Sequence, residues 1–178
     1  DFVNENGVTI GLSSVTGGTV IVEDGGTGTG GKVTMVPADI EVEEDDAVNF
    51  AIKVDTGDSK LAAYGFNITY NQNVLGSPAV AEGSDGFVSA TNTDTPGLII
   101  TSGFDASGVG PGSNLELLLV SFTADNEGTS PIGIAINDFV DPDGKAISAD
   151  ATGGRVIVKT GGTTTGGDVI MVPSNIEV

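Results

Sequence analysis

Apolar and polar residues alternate with a period of two along several stretches of this chain. In residues 47–54 (AVNFAIKV), Val48, Phe50, Ile52 and Val54 share one side, and Ala47, Asn49, Ala51 and Lys53 share the other. In residues 62–70 (AAYGFNITY), Tyr64, Phe66, Ile68 and Tyr70 oppose Ala63, Gly65, Asn67 and Thr69. Successive side chains of an extended chain point to opposite faces, so each stretch is predicted to be a half-buried strand. Further strands are predicted near 33–36, 40–43, 77–80, 86–91, 97–104, 115–124, 130–136, 145–149 and 155–159. Turn clusters such as Asp55-Thr56-Gly57-Asp58 and Gly108-Val109-Gly110-Pro111-Gly112 separate them. No helical period persists for three turns. The expected class is all-β, a jelly-roll or immunoglobulin-like β-sandwich of about nine strands.

Two of these strands are apolar on both sides: Gly97 to Ile100, and Leu115 to Phe122. Either they lie centrally and are covered on both faces, or Leu115, Leu117 and Leu119 form part of an exposed contact patch.

The chain also repeats itself. Asp1-Phe2-Val3 matches Asp138-Phe139-Val140, Gly17-Gly18 matches Gly153-Gly154, and Met35-Val36-Pro37 matches Met171-Val172-Pro173. The period is about 136 residues, with one residue inserted. The organisation that follows has five parts. Residues 1–23 are the end of a preceding repeat, 24–32 (DGGTGTGGK) a Gly/Thr linker, and 33–159 one complete module. Residues 160–168 (TGGTTTGGD) are a second linker, and 169–178 the first strand of a following repeat. This reads as a window on a tandem array; the alternative is a discrete subunit whose terminal strands complete a neighbour's sheet. Nine extended residues reach about 30 Å, and their glycines make the joint flexible.

Composition narrows the chemistry. The 178 residues carry 25 Asp and Glu against six Lys and Arg, a formal charge of −19. Nucleic acid is excluded as a partner, because phosphate binding needs clustered cations. The charge either keeps a long polymer soluble or attracts divalent cations and cationic surfaces. With no cysteine, disulfides and thiolate metal sites are absent; with no histidine, His-based triads and His metal sites are absent too. No apolar run is long enough to span a membrane. There is no tryptophan, and both tyrosines fall on core-facing positions, which argues against a sugar-binding platform or glycosidase cleft.

The one local candidate for a cofactor is calcium. In Asp138-Phe139-Val140-Asp141-Pro142-Asp143-Gly144, the carboxylates of Asp138, Asp141 and Asp143 surround a turn and offer hard oxygen ligands. Asn4, Asn6 and Gly7 occupy the matching places upstream. The competing reading is a plain hairpin turn, which Asp-Gly and Asn-Gly both favour. Glu43-Glu44-Asp45-Asp46 reads as a solvated turn. Asn67-Ile68-Thr69 is an N-glycosylation sequon with Asn67 on the outward side.

The order of strands and motifs resembles a cohesin module, the nine-stranded jelly roll of cellulosome scaffolding proteins. Ala63 to Leu75 (AYGFNITYNQNVL) is similar to that family's hydrophobic strand followed by Tyr-Asp-Pro-x-x-Leu, with Gln72 where the family has Pro. Leu115 to Ala124 resembles its central apolar strand, and Gly154 to Val158 its closing strand. The resemblance covers nearly all of 33–159 and implies a non-enzymatic module, one sheet face of which binds dockerin modules. The residues themselves point to a structural role: a repeat of an extracellular fibre, filament or cell-surface stalk, assembling with copies of itself or with adjoining repeats. The candidate contact residues are the small outward-facing Ala51, Ala63, Gly65 and Ala135, together with Ile170 and Val172 of the terminal strand. The alternative function is a scaffoldin-like array that docks dockerin-bearing partners.

Overall fold

The computed structural model describes residues 31–160. The expected end pieces 1–23 and 169–178, and most of both linkers, lie outside the described residues. Eleven strands follow in order: β1 (Gly31–Val36), β2 (Asp39–Glu43), β3 (Ala47–Asp55), β4 (Leu61–Thr69), β5 (Leu75–Glu82), β6 (Ala90–Asn92), β7 (Leu98–Val109), β8 (Leu115–Ala124), β9 (Gly128–Val140), β10 (Ala149–Thr152) and β11 (Gly154–Lys159). They form two sheets, with orders β10-β1-β3-β8-β5 and β2-β11-β9-β4-β7-β6. The all-β sandwich expected from the alternation is therefore present.

The predicted parities hold in β3 and β4. Val48, Phe50, Ile52 and Val54 are buried from one sheet, and Tyr64, Phe66 and Ile68 from the other. Between the sheets, Tyr64 stacks on Phe66 at 4.8 Å and Phe66 faces Phe139 at 6.3 Å. Ring pairs of this kind add to simple area burial.

Three expectations are corrected. The segment expected at 86–91 is a loop followed by the short β6, because Phe87 and Val88 are half-buried against the core without joining a ladder. The segment expected at 145–149 begins only at Ala149: the chain first closes a turn onto β9, with the Ile147 N–H donating to the Phe139 carbonyl at 2.8 Å. In β8, the leucines at 115, 117 and 119 do not share a face. Ile52 pairs with Leu118 and Lys53 with Glu116, so Leu117 is the extra residue of a bulge. Leu117 and Leu118 are both fully buried, Leu115 is half-buried and Leu119 is 43% exposed.

The two ends of the module run side by side. β1 pairs in parallel with β10 in the first sheet, and β2 in parallel with β11 in the second. Each end thus crosses from one sheet to the other beside the other end, at Pro37-Ala38 and at Gly153. A β-carbon on Gly153 would stand 1.8 Å from the Ile132 carbonyl oxygen, so only glycine turns that corner. Two exposed ion pairs lie across the β2–β11 seam, Arg155–Asp39 at 2.9 Å and Lys159–Glu41.

Candidate functional site

The interior offers no site. The buried Thr56, Thr101 and Ser130 are satisfied by Gly112, Thr91 and Asn71 respectively. Among the described residues, no buried side-chain polar atom lacks a partner and no three acidic side chains group as metal ligands. The large apolar side chains left exposed, Val36, Ile100, Phe104 and Leu119, lie on the two outer faces.

The strand registers define those faces. On the six-stranded sheet, Ala63 lies between Phe104 of β7 and Val140 of β9, Gly65 between Ser102 and Asp138, and Asn67 between Ile100 and Ala135. Phe104 is 66% exposed and Ile100 44%. Two large apolar side chains thus rise beside a floor of Ala63, Gly65 and Ala135. Polar groups of this face include Ser102, the Asn67–Asn137 pair, bonded at 2.9 Å, and Asp138. On the five-stranded sheet, the row Val36–Ala51–Leu119–Ala81 crosses four strands. There Leu119 stands in a shallow depression of about 510 Å³, lined also by Ala79 and Ser121.

The sequence grouped Ala51 with Ala63, Gly65 and Ala135. The structure puts Ala51 on the outer face of the five-stranded sheet and the other three on the opposite side of the molecule. Sequence reasoning missed Phe104 and Ile100. Ile100 lay in the stretch Gly97 to Ile100 that is apolar on both sides, whereas Phe104, beyond it, carried no such signal. Ile170 and Val172 lie outside the described residues.

The three aspartates are not brought together. Asp138 sits in β9 beside Gly65 on the sheet face. Asp141 Oδ1 accepts the backbone N–H groups of Asp143 at 3.0 Å and Lys145 at 2.8 Å. Gly144 completes the turn at a positive φ of 79°, in open space. This is the hairpin-turn geometry of an aspartate capping its own loop. Glu43 to Asp46 form the exposed turn between β2 and β3, where Asp46 Oδ2 accepts the Glu43 N–H at 3.0 Å. Asn67 points outward from β4 at mid-face, where its Oδ1 accepts from Asn137.

Tyr64 lies on the core side, where the alternation placed it. Its ring is buried and its hydroxyl donates to the Phe87 carbonyl at 2.6 Å. Burial pushes the phenol well above its ordinary value of 10.0.

Comparison with solved structures decides the fold. A non-cellulosomal cohesin from the archaeon Archaeoglobus fulgidus superposes with a TM-score of 0.63 at 16% identity, over 74% of this chain and 93% of the cohesin. The fold is that of a cohesin module. The cohesin of a type I cohesin–dockerin complex from Clostridium thermocellum matches with a TM-score of 0.61 at 16% identity, over 78% of this chain and 99% of that one. A cohesin module from a family 33 glycoside hydrolase of Clostridium perfringens gives 0.59 at 16% identity, over 75% and 99%. No protein-family model matches the sequence, and no curated protein matches it significantly. The cohesin fold is thus shared at a sequence identity of about 16%.

Proposed function

We propose that this cohesin-fold module is a non-enzymatic docking module outside the cell, and that its six-stranded face receives a folded protein partner of the dockerin kind. The observation that carries this reading is the exposure of Phe104 and Ile100 next to Ala63, Gly65 and Ala135. Aromatic anchors flanked by small residues let another surface approach closely and bury the ring, the arrangement typical of interface hot spots. The polar Asn67, Asn137 and Asp138 at the same face supply acceptors for a partner's Lys, Arg or amide groups. The test is to immobilise the chain and measure binding of a panel of dockerin modules. Phe104→Asp and Ala63→Arg are expected to abolish binding, and Leu119→Asp, on the opposite face, to leave it unchanged. Binding that survives both six-face changes, or none to any dockerin tried, overturns the reading.

The repeat favours a second reading in which such modules are the links of an extracellular fibre or stalk. Electron microscopy of the native protein distinguishes them: continuous filaments support the fibre, and separate beads on a string support an array of docking modules.

A further inference from the structure

The first two strands are held in the fold by four inward side chains. Val33 and Met35 of β1 are fully buried, and Ile40 and Val42 of β2 pack half-buried against the same core. Residues 169–178 repeat 33–42, and Val169, Met171, Ile176 and Val178 stand unchanged at those four positions. Pro173 matches Pro37, where the chain passes between the sheets. The differences fall off the core face: Ile170 stands for Thr34, Ser174 for the exposed Ala38 and Asn175 for the exposed Asp39. Backbone ladder bonds are indifferent to side chain, so a segment with the same inward residues fits the same place.

We infer that residues 169–178 are an exchangeable strand pair that takes the β1–β2 position in a second copy of this chain. There it would lie between β10 and β3 in one sheet and against β11 in the other. A contact between residues 169–178 of one copy and a different surface of the next is heterologous, so it propagates as a chain rather than closing a dimer. The nine residues 160–168 span up to about 30 Å, enough to bridge adjacent copies.

Charge selects the seat. Glu177 stands for Glu41 and keeps the ion pair with Lys159. The upstream stretch that repeats β11 carries Glu23 in place of Lys159, so 169–178 would meet like charge there. Charge also favours the resident strand. Lys32 lies between Asp55 and Asp150, where the repeat has Asp168, and Asn175 loses the charge that Asp39 offers Arg155. Exchange is therefore expected to rise with ionic strength, which screens these exposed charges. The seat meets the six-stranded sheet only at its β2–β11 edge, two or more strands from Ile100 and Phe104 on β7, and the inference does not depend on the docking reading.

The test uses the 178-residue chain with its own first strand disabled by Val33→Asp and Met35→Asp. If a second copy donates residues 169–178, this variant stays all-β by circular dichroism but runs as multimers in light scattering. Adding Val169→Asp and Met171→Asp then abolishes both fold and multimers. An unfolded or a monomeric first variant overturns the inference. A second measurement leaves the core intact. Val36 is the partner of Ala51 across β1–β3, so Val172→Cys with Ala51→Cys, in a chain that has no cysteine, places two thiols together on exchange. Refolding at rising protein concentration under oxidation is expected to give a disulfide-linked ladder that Phe104→Asp does not alter. Monomers alone, with or without an internal disulfide, overturn the inference.

Discussion

At Tyr64 the ring and the hydroxyl meet different demands. The ring fills the space between the sheets, and the hydroxyl satisfies the Phe87 carbonyl in a loop that has no ladder of its own. Below about pH 10 the phenol is neutral in both folded and unfolded chains, so its contribution is fully present. Above that value the unfolded phenol ionises first, and stability falls by up to ~1.4 kcal/mol per pH unit until the raised folded value is reached. Tyr64→Phe is expected to cost about 1 kcal/mol at neutral pH, because the Phe87 carbonyl loses its donor. It also flattens the alkaline limb, so the two urea-denaturation profiles converge as pH rises. Parallel profiles would show that the phenol is not shielded. Asp141 is the second residue whose role is local. Its carboxylate oxygen closes a turn, and an amide oxygen closes it equally well, as the upstream Asn4 at the matching position suggests. Asp141→Asn is expected to keep the denaturation midpoint, while Asp141→Ala lowers stability by about 1 kcal/mol. If chelator lowers the melting temperature of the native chain but not of Asp141→Asn, the carboxylate holds a calcium ion after all.

Among the elements, β3 and β4 were readable because each buries one face only, so period two appears undisguised in Val48 to Val54 and in Tyr64 to Tyr70. What alternation cannot carry is the assignment of a strand to a sheet. Ala51 and Ala63 look equivalent along the chain, yet they face opposite directions because β3 and β4 belong to different layers. Nor does it carry a bulge: a single extra residue at Leu117 shifts the parity of half of β8 and leaves only Leu119 of the three leucines well exposed. Phe104 was hidden for a related reason, since nothing local says whether the outer side of an apolar strand is covered. The corner at Gly153 was visible as a repeated Gly-Gly, but the contact requiring it, the Ile132 carbonyl of β9, is distant in sequence. Gly153→Val is expected to destabilise the module by about 2 kcal/mol or more, through overpacking against that backbone. A denaturation midpoint within error of the native one would mean that the β10–β11 crossing can shift to make room.

Across the described module, the parallel seams β1–β10 and β2–β11 mean that its first and last strands close the sandwich together. Every strand of the described module finds its partners within residues 31–160, and the core is continuous between the sheets. Residues 31–160 on their own are therefore expected to fold as an all-β monomer. Residues 44–160 lack the two strands that cover β3 and β11 and lose Val33 and Met35 from the core, so they are expected to fold only when the missing strands are supplied as a peptide. Peptide 31–43 restores all four inward side chains and both ion pairs across the seam. Peptide 167–178 restores the same four side chain types, but it keeps only the pair to Lys159 and sets Asp168 against Asp55 and Asp150. Exposed pairs of this kind are worth about 0.2–1 kcal/mol each, a few-fold in affinity. At low salt the 31–43 peptide is expected to bind more tightly, and raising the salt should narrow the gap, because screening removes the charge term and leaves the shared apolar one. Titration calorimetry at two ionic strengths reads this directly. A gap that does not narrow would show that the preference lies in packing, with Ile170 or Ser174 as the residues to exchange next.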